Sequence, residues 1–194
     1  MDGSILLGGS VAGSRTTEIG TFVSVAEKDL FLTRIDQVAG NILWLKRFGG
    51  SGDDSVQSLE ASDDLIYLAG DIRKQGFEEY SFLFELDGDG LIASSLALKG
   101  AYQNQIEDLA LGGENIYLLG SFENQLNLST KSLTTTKNSS FVLALKKGLA
   151  QDWSIAFQSQ SEQLGIETDA FGYPIVLNRF SGNFVIDEAS INLT

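Results

Sequence analysis

The sequence predicts an all-β protein of repeated four-stranded antiparallel sheets, and three observations carry that expectation. Apolar runs of strand length recur along the chain, turn residues separate them, and long helical periodicity is missing. The fullest copy spans residues 29–72, DLFLTRIDQVAGNILWLKRFGGSGDDSVQSLEASDDLIYLAGDI, in which Gly- and Asp-rich turns part the apolar runs and Trp44 sits in the middle one.

The first run, ILLGGS at 5–10, has counterparts at 65–71 (LIYLAGD) and 115–121 (NIYLLGS), with a degraded copy at 174–179 (PIVLNR). Gly9, Gly70, Gly120 and Asn178 mark these copies at intervals of 61, 50 and 58 residues. That period slightly exceeds the ~40–50 residues of a four-stranded propeller blade. A second run follows each marker, at 29–36, 81–87 and 140–146, and each ends at a turn: 37–41, 88–90 and 147–148. The third run carries Trp44 in copy one and Trp153 in copy three, with Ser94 and Ser95 at the matching place in copy two. A fourth segment, at 55–61, 106–111 and 164–169, is expected to close each unit.

The excess length lies in inserts between the first and second runs, at 11–28, 72–80 and 122–139. Pieces such as QLNL at 125–128 and SLTT at 132–135 alternate loosely, which predicts an extra hairpin at a sheet edge. Copy four opens the same insert with 184–187 and 190–194. The strands are apolar on both faces: Phe31, Thr33 and Ile35 point one way, Leu30, Leu32 and Arg34 the other. A sheet with one wet face would alternate cleanly, and parallel α/β sheets would need crossover helices. Sheets stacked face to face around an axis, as in a β-propeller, satisfy both observations.

Composition excludes more than it assigns. Hydrophobic residues make up 43% of the 194 and charged residues 20%, as in a globular chain. A net charge of −13 repels phosphate backbones, so nucleic acid is not an expected partner. The absence of His removes the usual general base and the commonest zinc ligand. The absence of Cys removes thiol nucleophiles, iron–sulfur clusters and disulfides without fixing the compartment. No apolar run approaches the ~18 residues of a membrane-spanning helix. Residues 1–4 (MDGS) carry no basic segment, so a signal peptide is not expected within this chain.

Few residues invite chemistry. Asp53 and Asp54 in the loop FGGSGDD could bind calcium, or could accept backbone N–H bonds that shape a turn. Amides at the matching regions, Gln103 and Asn104 among them, favour the turn. Asp87 and Asp89, in DGDG, resemble the start of a calcium loop, but Leu91 and Ile92 follow where further ligands would stand, which favours a tight hairpin turn. Trp44 and Trp153 are expected to anchor one sheet on the next rather than to stack on a sugar. Gly9, Gly70 and Gly120 are expected where strands crowd. No catalytic set is predicted, and no cofactor, calcium being the one alternative. Glu60, Asp64, Glu107 and Asp108 are the acids a glycosidase or lyase could use.

The residues 29–36, 40–44, 48–54 and 66–70 together resemble the bacterial SBBP β-propeller repeat, and copy three is similar through 120–122, 141–145 and Trp153. Copy two departs by lacking the Trp and the FGGSGDD loop, and copy four matches over half a unit. The resemblance implies propeller blades within large exported or surface-attached bacterial proteins, and it carries over no catalytic residues. Residues 1–194 are therefore expected to form a single repeat domain of three full blades plus a part. It is expected to belong to a longer propeller or to close by association, since closure takes ~4–8 blades. The expected role is a non-enzymatic extracellular or cell-surface scaffold for a protein or glycan partner. The alternative is part of a carbohydrate-active propeller enzyme.

Overall fold

The computed structural model describes residues 3–25, 27–62, 64–73, 80–100, 103–129, 131–136, 138–186 and 189–191. Among these every regular element is a strand, and no helix is long and apolar enough to cross a membrane. All the ladders between strands are antiparallel, as short turns between neighbours dictate.

The first sheet has the order β1 (Ile5–Val11), β4 (Asp29–Ile35), β5 (Ile42–Phe48). The insert between its first two members forms a separate hairpin, β2 (Ser14–Thr17) and β3 (Gly20–Val23). The expected place for such a hairpin was a sheet edge, but this one lies over a face. Phe22 meets Phe31 edge-on at 6.4 Å, a contact that buries its ring.

The second sheet runs β6 (Ser55–Ala61), β7 (Leu65–Ile72), β8 (Tyr80–Asp87), β9 (Ile92–Gly100). The third repeats the pattern with β10 (Asn104–Gly112), β11 (Asn115–Phe122), β14 (Ser139–Lys146) and β15 (Gln151–Thr168). Its insert, β12 (Gln125–Asn127) and β13 (Ser132–Thr134), crosses to the preceding sheet and extends the β9 edge through Leu126↔Gly100 and Asn127↔Lys99. The copy-two insert lies largely outside the described residues.

One expectation is corrected. The segments read as closing each unit open the next one instead: β6 pairs with β7, β10 with β11, and the end of β15 with β16 (Pro174–Ile186). The Ser62 N–H donates to the Leu65 carbonyl at 3.0 Å, so a tight hairpin joins β6 to β7, while the longer loop at 49–54 carries the chain between sheets. In the fourth copy no loop intervenes; β15 leaves the third sheet and continues unbroken into its hairpin with β16. A short β17 (Ala189–Ile191) pairs with the end of β16, and residues 187–188 and 192–194 lie outside the described set.

Register repeats with the sequence. Gly9 stands opposite Phe31, Gly70 opposite Phe82, and Gly120 opposite Phe141. On the other side of the glycine a bulge interrupts the inner strand, at Gln57 in β6 and at Glu107 in β10. Asn178 occupies the same place, paired with Gln163 just before the bulge at Leu164. A Cβ on Gly120 would stand 2.2 Å from the Gln105 carbonyl oxygen and 2.6 Å from the Phe141 ring. The marker glycine therefore lets a carbonyl and a ring close on one backbone position from both sides.

The sheets stack face to face. Leu6, Leu30, Leu32, Trp44 and Phe48 on the back of the first meet Ile66, Leu68, Phe82, Phe84 and Leu86 on the front of the second. Tyr67, Ala69, Leu83 and Leu98 on the back of the second meet Ile116, Leu118, Phe141 and Leu143 on the front of the third. Tyr117, Leu119 and Val142 on the back of the third then meet Ile166 and Val176 of the β15–β16 hairpin. Double-faced burial explains the unbroken apolar runs of β7, β8, β11 and β14.

Polar anchors cross the same interfaces. Arg34 Nη1 and Trp44 Nε1 both donate to the Gly88 carbonyl of the next sheet's turn, at 2.9 and 3.2 Å. At the following interface the polarity reverses, and the Glu85 carboxylate accepts the Gly148 N–H at 2.9 Å. Trp44 is thus the anchor the sequence predicts. Trp153, at the equivalent position, instead lies against Tyr117 of its own sheet and is 40% exposed.

Candidate functional site

Three turns bring polar side chains to one end of the seam between the second and third sheets. They enclose a groove of about 550 Å³ whose walls include Asp64, Tyr67, Glu114, Asn115, Lys146 and Lys147. Its polar floor is built. Tyr67 Oη donates to Glu85 Oε2 at 3.3 Å, and the same oxygen holds the Gly148 N–H of the turn that presents the lysines. Burial first, then the charge and hydrogen bond of Glu85, push the Tyr67 phenol up to about 12, so it stays a donor throughout the physiological range. Asn115 Nδ2 donates to Tyr117 Oη at 3.0 Å, and Lys146 pairs with Asp152 at 3.5 Å. The groove offers both signs of charge, which suits a polar ligand with hydrogen-bonding groups along its length.

The acids named from the sequence part into two groups. Glu60 and Asp108 come together on neighbouring inner strands, with Glu167 beside them. The Glu60 side chain is exposed at the surface, yet desolvation by its neighbours, then the charges of Glu167 and Asp108, raise its carboxyl above the ordinary value. Asp108 is also held structurally: it accepts the Ser58 hydroxyl at 2.9 Å and the Ile166 N–H at 3.0 Å, linking three successive inner strands. Glu107, its neighbour on the bulge, points elsewhere. Burial and the charge of Asp71 raise its carboxyl, and the Ser121 hydroxyl lowers it. Asp64 stands apart on the β6–β7 turn in the groove wall.

The calcium candidates are placed as follows. Asp54 is buried and accepts the Gly50 N–H at 2.9 Å on one oxygen and the Arg73 N–H at 3.0 Å on the other. Burial raises its carboxyl, these two N–H groups lower it, and the charges of Asp29 and Asp53 raise it. Asp53 meets Lys28 at 3.4 Å. Asp87 Oδ1 accepts the N–H groups of Asp89 and Leu91, at 3.0 and 2.9 Å, while the Asp89 side chain is exposed. Among the described residues no three His, Cys, Asp or Glu side chains are grouped to hold a metal ion.

Sequence reasoning missed the two lysines, Glu85 and Glu167. Lys146 read as the end of a strand and Lys147 as a turn residue, and only topology faces them with Asp64 and Glu114. Asp169 was missed too, though its spacing to Gly172 matches Asp87 and Gly90; it accepts the Phe171 and Tyr173 N–H groups at 2.9 Å each. Comparison with family models finds no match to this sequence, and comparison with curated proteins finds none either.

Glu107 gives a pH prediction. A carboxyl raised in the folded state binds its proton more readily there than in the unfolded chain. Its stabilising effect is present in acid and is lost as pH climbs from the ordinary value of 4.5 through the raised one. Glu107→Gln is expected to raise the melting temperature near neutrality by about 2 °C. It should also flatten the fall in melting temperature as pH rises above 4.5. Thermal scans of both proteins across that range check this; an unchanged pH slope would remove Glu107 as a cause.

Proposed function

We propose that this chain is a non-enzymatic β-propeller repeat module of a secreted or surface-attached bacterial protein, serving as a scaffold that holds a protein or glycan partner. The observation that carries the reading is the groove between the second and third sheets. Its opposing charges, Lys146 and Lys147 against Asp64 and Glu114, stand on turns and at a strand end, while the strands behind them are committed to packing. The propeller itself is supported by the repeated glycine–phenylalanine register and by three sheets that succeed one another back to front. The sequence resemblance to the SBBP repeat supports the exported setting.

Glycan arrays and a peptide library probed with the purified chain test the reading. Binding is expected to fall at least tenfold in Lys146→Glu/Lys147→Glu, whose circular dichroism and melting temperature should match the parent. Binding indifferent to that double substitution would move the site elsewhere. A second reading, part of a polysaccharide-cleaving enzyme, is favoured by the approach of Asp108 and Glu167 to Glu60, whose raised carboxyl is the one suited to act as an acid. Release of reducing ends from a polysaccharide panel, abolished by Glu60→Gln, would favour that reading over the scaffold.

A further inference from the structure

The two ends of the stack expose the two halves of an interface the molecule already makes twice inside itself. Aligned on the marker glycines, Leu7 in the first sheet corresponds to Leu68 in the second and Leu118 in the third. Leu68 is 0% exposed, sealed by the back of the preceding sheet, whereas Leu7 is 50% exposed. Ile5, at the position of Ile66 and Ile116, is open in the same way; the β2–β3 hairpin covers the Phe31 side of this face, where Phe22 closes an apolar hollow of about 270 Å³ with Phe31, Ile35 and Leu45, and leaves the Leu7 and Ile5 side uncovered. At the far end Leu177 corresponds to Ala69 and Leu119 on sheet backs. Leu119 is 0% exposed and Leu177 is 63% exposed, with Ile175 open beside it.

We propose that the front of the first sheet of one copy docks on the back of the β15–β16 hairpin of a second copy, so that the protein self-associates head to tail. The internal interfaces show which residues meet. A Cβ at Gly8, the first sheet's equivalent of Leu177, would stand 3.5 Å from Leu68, the equivalent of Leu7. Ala69 and Leu118, the same pair one interface on, share one buried cluster. Leu177 of one copy is therefore placed against Leu7 of the next. The two patches differ, so the contact is heterologous: a ring forms where the rotation closes, an open chain where it does not. A second copy is the occupant because the front it presents has the same positions, filled by the same residue types, that the sheet backs already bury. Ile5 and Leu7 at one end, and Ile175 and Leu177 at the other, are large apolar side chains costly to leave in water.

Sedimentation velocity and light scattering on the full chain over a range of concentrations test this. The expected result is a species of twice the 20.9 kDa monomer mass, or a growing series of such multiples. Leu7→Glu and Leu177→Glu are each expected to give monomers with unchanged circular dichroism, both residues being exposed. An equimolar mixture of the two should recover a dimer, because each retains the patch the other lacks. The chain has no cysteine, so Leu7→Cys mixed with Leu177→Cys should give a disulfide-linked heterodimer far in excess of either homodimer. Monomers at every concentration, association that survives both glutamates, or a mixture that stays monomeric would each overturn the proposal.

Discussion

Gly120→Ala is expected to destabilise the fold by about 3 kcal/mol, the upper end of what overfilling a packed interior costs. The new methyl would meet the Gln105 carbonyl at 2.2 Å and the Phe141 ring at 2.6 Å. The ring could turn aside; the carbonyl belongs to the inner strand at its bulge and cannot move without breaking the ladder to β11. Gly9 provides the control. It faces Phe31 at 2.9 Å, but the order β1, β4, β5 places no inner strand on its other side, so only a side chain must yield. Gly9→Ala is expected to cost about 1 kcal/mol. Urea unfolding of both variants, with the linear slope held common, measures the difference. Equal losses would mean that the carbonyl is not the obstacle.

Asp54→Ala is expected to cost about 2–4 kcal/mol, because it strands two backbone donors at once. The Gly50 and Arg73 N–H groups lie on different segments, the FGGSGDD loop and the end of β7, and the one buried carboxylate ties them together. Gly49, at φ +124°, lies beneath it where a Cβ would touch Asp54 Oδ2, so the loop is shaped around that oxygen. Asp54→Asn keeps one acceptor oxygen and should lose about half as much. Denaturation with and without calcium separates this role from cation binding. A calcium-dependent gain in melting temperature that Asp54→Asn abolishes would assign the loop to a cation instead.

How much of this was legible beforehand depends on the range over which each residue acts. Gly70, Gly120 and Asn178 could be aligned from the sequence because the signal is local: an apolar run, a small or turn-forming residue, a polar residue. The structure puts all three in one register beside a bulge. Trp44 was readable as an anchor for the same reason, and the Asp87 turn through its DGDG spelling. Strand partnership was not readable. Segment 55–61 has the same apolar pattern whether it pairs backward or forward, and the 3.0 Å Ser62–Leu65 bond that decides it leaves no mark in composition. Trp153 failed as an anchor because its environment is set by what lies beyond its own sheet. The groove was invisible for the same reason, since Lys146 and Asp64 are 82 residues apart and meet only through stacking.

The backward reach of β12–β13 makes the middle of the molecule a single cooperative block. Leu126 and Leu133 are interred among Leu98, Phe122 and Phe141, so the third repeat lends its insert to seal the flank of the second. In a chain of independent links each repeat could melt alone at the cost of its nearest contacts. Here the third cannot detach without tearing a strand from its predecessor. The first sheet's own insert does otherwise: its β2–β3 hairpin folds back over the sheet it belongs to, with Phe22 against Phe31.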